Sequence, residues 1–371
     1  MKLNWLRSVA LATRRQLSDR EAPRRLIAPA ALGLVALLSA TATSRADENG
    51  ISFWIPGFFG SLAATPQQPG FSLASIYYHT DVSGSGNIAV SREITVGQFN
   101  PTLNTSLSAN VNARADLGIL IPGYVFATPV LGGQAAVSLI GLYGRNDTSL
   151  NATLSGQLAG IPFTRSFALE QVTYGFGDLI PQFALRWNAG VNNYMVYMTG
   201  DIPVGKYNQF DLANIGLGHG AIDGGFGYTY FNPATGHEIS ATMGLTGNFK
   251  NTATQYTSGV ELHLDIGASQ FLTKQFMVGV VAYAYEQLTA DQGCAPQLCP
   301  FKSRVQGIGP QIGYVFPIGG MQGYVNVKAY KEFENANRPD GWNAWLTFVL
   351  SPAPPSAAPS PPLITKALPR S

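Results

Sequence analysis

Three ionisable residues, Glu261, His263 and Asp265, stand two positions apart in the run Val260-Glu261-Leu262-His263-Leu264-Asp265-Ile266. Residues two apart on an extended strand share a face. An acid, an imidazole and a second acid therefore line up on one side, with aliphatics on the other. Such a row could pass protons, hold a cation or bind a polar solute. The same period places Gln182, Arg186, Tyr197, Asp201, Glu238, Tyr324 and Lys328 on polar faces of other segments, with Tyr283 and Tyr330 beside them. Because both signs are present, two readings stand. The side chains satisfy one another inside the fold, or they bind or gate a passing molecule, the tyrosines offering amphipathic surface to an aromatic solute.

Signatures of catalysis are sparse. The chain has 4 histidines, His79, His219, His237 and His263. It contains no Gly-x-Ser-x-Gly elbow, no His-Glu-x-x-His pair and no phosphate-binding glycine loop. Gly216-Leu217-Gly218-His219-Gly220 matches the last in composition alone. A hydrolase built on His263 would need a serine hydroxyl within ~3 Å. Cys294 and Cys299 fit a disulfide that pins a loop tip in an oxidising compartment. A metal site would need further soft ligands beside them, and none is near. The expectation is no catalytic residue, no metal and no cofactor.

The elements that must position these residues are written into the composition. Of 371 residues, 12% are charged and 46% hydrophobic, with 41 Gly, 16 Tyr and 20 Phe. A soluble domain carries roughly 25% charged residues. The chain is too apolar for disorder and too poor in charge for an ordinary cytosolic enzyme. A net charge of +2 gives no basic footprint for nucleic acid. Residues 1–25 are rich in arginine, the run 26–40 is apolar, and small residues follow at Ala42 and Ala46. That is a secretory signal peptide, cleaved after Ala46, with Ala42 as the alternative. Beyond it no apolar run reaches the ~20 residues of a spanning helix.

Alternation takes the helix's place. Val260, Leu262, Leu264 and Ile266 alternate with Glu261, His263 and Asp265; Ile239, Ala241, Met243 and Leu245 alternate with Glu238, Ser240, Thr242 and Thr246. Period two is the strand period. Segments of about ten residues, the length of a tilted membrane strand, recur with short turns on one side and long polar connections on the other, as in outer-membrane barrels. Laid out up and down, they give about twelve strands, near 71–80, 115–127, 134–145, 178–188, 192–202, 221–231, 237–248, 256–267, 275–288, 304–316, 321–333 and 341–350. The stretches 82–113 and 146–176 also alternate and read as strand extensions or hairpins projecting outside, or, if they cross, as a fourteenth or sixteenth strand. The fold class expected is all-β: a transmembrane antiparallel barrel over 71–350. Open edges are not tolerable in hydrocarbon, so the sheet closes. Charges facing lipid are costly, so the polar faces turn inward. Tyr143, Trp187, Tyr230, Phe276, Trp342 and Phe348 suit interfacial belts. The tail 351–371 is proline-rich and reads as a flexible periplasmic end, leaving Trp345-Leu346-Thr347-Phe348 as an internal signal for the barrel-assembly machinery.

Segment 47–70 precedes the first strand and carries Phe53, Trp54, Ile55, Phe58 and Phe59, broken by Pro56, Gly57 and Gly60. It reads either as a plug folded into the lumen or as a cap over the periplasmic mouth. The start Ala46-Asp47-Glu48-Asn49-Gly50-Ile51-Ser52-Phe53-Trp54-Ile55-Pro56-Gly57, with Tyr174-Gly175-Phe176-Gly177-Asp178-Leu179-Ile180-Pro181-Gln182 and Tyr256-Thr257-Ser258-Gly259-Val260-Glu261-Leu262-His263, resembles the SphA-like, or meta-pathway phenol-degradation, family of transporters, distantly similar to FadL-type channels. The resemblance covers about 46–350. It implies an outer-membrane channel for passive uptake of hydrophobic or aromatic small molecules, with outer-membrane lipid and the solute as partners, and it carries over no catalytic residue. Two alternatives remain: a structural or adhesion-type barrel using its outer hairpins, and a secreted soluble β protein.

Overall fold

The computed structural model describes residues 52–93, 102–158, 160–293 and 302–354. The leader expected from the sequence, the proline-rich tail beyond 354, and the pair Cys294 and Cys299 lie outside the described residues; the first two residues of the expected tail, Ser351 and Pro352, instead end the last strand, paired with Gln322 and Met321. The strands are β1 (Gly70–Glu93), β2 (Thr102–Val125), β3 (Gln134–Leu158), β4 (Ile161–Phe176), β5 (Ile180–Ala189), β6 (Asn192–Asp201), β7 (Ala221–Asn232), β8 (His237–Asn248), β9 (Glu261–Phe271), β10 (Phe276–Gln287), β11 (Arg304–Ile318), β12 (Met321–Ala336) and β13 (Asp340–Pro352). Among the described residues there is no helix.

Every neighbouring pair is antiparallel, and the sheet closes on itself. β1 pairs with β13 on one edge and with β2 along its whole length on the other. β2 pairs with β3, and β3 pairs with β5 over Gln134–Ile140. From β5 to β13 each strand pairs with the next in sequence. The result is a barrel of twelve strands, with β4 as the one extra strand. Beyond Tyr143, β3 stops pairing toward β5 and takes β4 instead, from Tyr143↔Phe176 to Leu158↔Ile161.

The projecting stretches resolve accordingly. Residues 82–93 and 102–113 continue β1 and β2, 146–158 continues β3, and 161–176 is a separate strand outside the ring. The connection 202–220 meets the last part of β4: Lys206 N–H donates to Phe176 O (2.8 Å), and Leu212 N–H donates to Gln171 Oε1. One expected boundary shifts. The strand placed at 256–267 spans Glu261–Phe271 instead. Gly259 and Val260 leave the ladder because their N–H groups donate to the side chains of Asp291 (3.0 Å) and Thr289 (2.8 Å).

Most connections sort by end. Those at 190–191, 233–236, 272–275 and 319–320 are tight and share an end with Gly70, Pro352 and the longer 126–133, whereas 202–220, 249–260 and 288–303 lie at the other, with the short 337–339 among them. Gly319 and Gly320 carry φ of 55° and 79°. Two successive positive φ values make the turn whose twist matches its flanking strands. The faces sort by parity. Ile239, Phe226, Val280, Ile308, Ile312 and Leu346 are exposed on the outside, while their neighbours are buried within. Tyr143 and Trp342 are exposed on the outer face, but Tyr143 sits where β3 leaves the ring, well before that strand's end. Trp345 faces inward, against Tyr78 (rings 4.5 Å apart), leaving Leu346 and Phe348 for the outer surface.

Ile266 lies on the outward face of β9, opposite Ala241 and Ala282. Ile266→Arg is expected to destabilise the folded barrel by ~2–4 kcal/mol, the cost of an arginine facing mid-bilayer lipid. Urea titration of the protein refolded into lipid vesicles measures it.

Candidate functional site

The chain ahead of β1 does not stop at the mouth of the barrel. Gln67 N–H donates to Gln134 Oε1 (2.7 Å) at the tight-turn end. Ser52 Oγ accepts from Arg338 Nη1 (3.2 Å) at the long-loop end. Between these points the segment runs through the interior and contacts strand after strand. Its proline and glycines prevent regular structure, so its backbone donors and acceptors need partners from the wall.

The inward faces of β7–β12 supply them. Asp265 accepts from the N–H groups of Gly57 (2.8 Å) and Phe59 (3.1 Å). The Lys328 ammonium donates to the carbonyls of Gly57, Phe58 (3.3 Å) and Phe59 (2.9 Å), with the Trp345 ring 5.0 Å away. Glu238 Oε1 and Ser240 Oγ accept from Leu62 N–H (2.9 and 3.0 Å), and Thr229 Oγ1 accepts from Ala64 N–H (3.1 Å). Gln311 Nε2 donates to Ser61 Oγ (2.7 Å), and Arg186 Nε reaches Ala63 O (3.4 Å). Gly267 gives the segment room: a β-carbon there would stand 2.6 Å from Ser61 N.

His263 occupies the centre. Its Nε2 lies 2.8 Å from Asp223 Oδ2, which also accepts from the Thr246 hydroxyl (2.6 Å). The hydroxyl nearest to it is that of Tyr197, at 3.4 Å, and no serine takes that place. The indole of Trp54 stacks on the imidazole, centroids 3.8 Å apart and 12° from parallel. Tyr197 packs against both Trp54 (5.9 Å) and Phe59 (5.3 Å).

The sequence-derived set therefore divides. Arg186, Glu238, Asp265 and Lys328 hold the segment's backbone, while Tyr197 and His263 hold its aromatic side chains. Glu261, fully buried, accepts from Asn248 Nδ2 (2.7 Å). Tyr324 is half-buried on the inner face of β12 near Gly313. Asp201 is buried at the outer end of β6. Tyr283 donates to Glu332 (2.6 Å) and packs against Tyr330, rings 4.8 Å apart and tilted by 49°. Asp223, Gln311, Thr229, Ser240 and Gly267 were not singled out in the sequence. Alternation marks all five as inward, but nothing local says what an inward residue meets.

The rest of the interior is apolar. Ile76, Tyr78, Ile119 and Ile140 of β1–β3 form one buried cluster with Val281, Tyr283, Tyr285, Val305, Tyr330 and Trp345 of β10–β13, and Ile55 and Phe58 of the segment pack on it. Between Ile119, Ile140 and Ile180 and the segment lies a cavity of about 40 Å³. Phe53 and Trp54 are buried beside it, and Phe58 and Phe59 are half-buried.

Residues 75–348 match the family described as the putative MetA-pathway of phenol degradation. The chain belongs to that family. No curated relative matches it in sequence. In structure it is similar to the COG4313 outer membrane channel from Pseudomonas putida F1, at 15% identity and a TM-score of 0.54, over 80% of this chain and 99% of that one. OccK10 (OpdN) of Pseudomonas aeruginosa (7% identity, TM-score 0.27, 76% of this chain and 98% of that one) is too distant to bear on the fold.

Asp265→Ala removes the acceptor of two buried N–H groups. Leaving a buried donor unmet costs ~1–3 kcal/mol, so the Gly57 and Phe59 amides should exchange at least tenfold faster with deuterium. Hydrogen-exchange mass spectrometry of the segment reads the change.

Proposed function

We propose that this protein is an outer-membrane channel for passive entry of hydrophobic, including aromatic, small molecules, with residues 52–67 as a plug. The observation that carries the reading is the way the segment is held. Polar side chains of the barrel grip its backbone, while a buried apolar cluster that joins Ile76, Ile119 and Ile140 to Val281, Val305 and Trp345 receives its aromatic side chains. A hydrophobic solute can move against that cluster, and the segment's aromatics offer it ring surfaces. The family's printed description names phenol degradation, and the structurally similar protein's title names an outer membrane channel. The first favours an aromatic solute, and the second favours the outer membrane.

In this reading residues 1–46 direct export and are removed, the tail 351–371 stays in the periplasm, and the barrel-assembly machinery inserts the mature chain. Orientation follows from the sorted connections, with the tight turns and both barrel ends in the periplasm. No step requires a cofactor, an energy source or a covalent intermediate. Gln182, Arg186, Tyr197, Asp201, Glu238, Glu261, His263, Asp265, Tyr324 and Lys328 line the pore, and Phe53, Trp54, Phe58 and Phe59 form the apolar body of the plug.

Deleting 47–65 should leave a barrel that assembles, with heat-modifiable gel mobility, and raise single-channel conductance in planar bilayers severalfold. Conductance equal to that of the intact protein would refute the plug. Gly267→Leu tests the same point with the chain intact. A side chain at that position collides with Ser61 and should raise conductance in the same direction.

A further inference from the structure

We propose that the cavity between Trp54 and Gln182 is a binding site for a neutral, single-ring molecule with one acceptor oxygen, such as a phenol or an aromatic ketone. The proposal rests on the channel reading and names its substrate class. The cavity is walled by Ile119, Ile140, Leu142 and Ile180 of the barrel and by Phe53 and Phe58 of the segment. Two of its liners carry N–H donors: Trp54 Nε1 and Gln182 Nε2 are both buried, and neither has a hydrogen-bond partner. An unmet donor in a dry setting is costly, and the cost is lifted by any acceptor placed within reach. The remaining polar liner, Thr199, already donates its hydroxyl to Pro181 O (2.9 Å). The site is therefore apolar with spare donors, which is the complement of a ring bearing a hydroxyl or carbonyl oxygen.

Charge narrows the class. None of the cavity's liners is a cation, so an anion would be buried there without a partner, and the site disfavours anions. Size sets the mode of entry. The cavity is about 40 Å³, whereas an apolar cavity that accepts benzene is roughly 150 Å³. The ligand's ring must displace a ring. Phe58 is half-buried and held by edge contacts to Trp54 (5.7 Å) and Trp345 (6.3 Å). Its exchange for the ligand would keep the apolar wall covered.

The test is a ¹⁹F NMR titration of the mature protein in detergent micelles, against protein-free micelles, with 4-fluorophenol, 4-fluorotoluene and 4-fluorobenzoate. The first two share a ring and differ in the acceptor. Saturable binding of 4-fluorophenol is expected, about fivefold or more tighter than 4-fluorotoluene after correction for micelle partitioning, the effect of one neutral hydrogen bond. 4-Fluorobenzoate should bind more weakly than either. Gln182→Leu and Trp54→Phe should each weaken 4-fluorophenol about fivefold and leave 4-fluorotoluene unchanged. Should one variant fail to fold by heat-modifiable mobility, the other variant and the comparison of probes on the unaltered protein still decide. Equal affinity for the two neutral probes, or equal losses in the variants, overturns the donor site while leaving the channel reading in place. If none of the probes binds saturably, the site is overturned, and the conductance of the 47–65 deletion judges the channel separately.

Discussion

The whole arrangement depends on pairing backbone N–H and C=O groups where no water can reach them. Each unpaired group in hydrocarbon costs several kcal/mol, so a sheet of membrane strands cannot keep an edge. This chain meets that requirement through β3, which pairs with β2 along one side and divides its other side between β5 and β4. The lower stretch closes the ring, and the upper stretch supports a hairpin beyond it. The extra strand lies beyond the ring, and the 202–220 connection meets the end of its open edge at Phe176 and Tyr174.

Closure creates an interior, and the interior poses a second accounting problem. Its wall carries carboxylates, an imidazole and an ammonium group that must find partners away from bulk water. Contact between wall side chains answers only part of this, at His263 and Asp223. Lys328 and Asp265 turn instead to carbonyls and N–H groups of the threaded segment, which has neither helix nor strand to satisfy its own backbone. Wall and segment thus complete each other. These are individually modest hydrogen bonds that water could replace, so the segment is held firmly but not irreversibly. A core of interlocked aliphatic side chains would not exchange in that way.

Charged groups and apolar side chains meet inside the barrel, as Lys328 and Tyr330 do on the inner face of β12. The aromatic side chains of the segment, Trp54 on His263 and Phe58 toward the apolar cluster, lie on the boundary. A solute with one polar atom on an apolar ring is matched to such a boundary. A fully charged or fully saturated one is matched to a single side of it.

The sequence by itself determined the strand period, the all-β class and the inward direction of Glu261, His263, Asp265 and Lys328, and it left the ring at about twelve strands with fourteen or sixteen open. Alternation and the intolerance of lipid for charge are local properties, readable one strand at a time. Tertiary structure alone decided the rest. Alternation is the same in β4 as in a membrane strand, so only the pairing of β3 shows that 161–176 stands outside the ring. An inward acid reads identically whether it meets a base, a solute or a backbone amide. That Asp265 meets Gly57 and Phe59, 208 and 206 positions away, depends on where a closed barrel brings distant segments together. Asp223 and Gly267 went unmarked for the same reason: their roles, as the partner of His263 and as space for Ser61, exist only across the lumen.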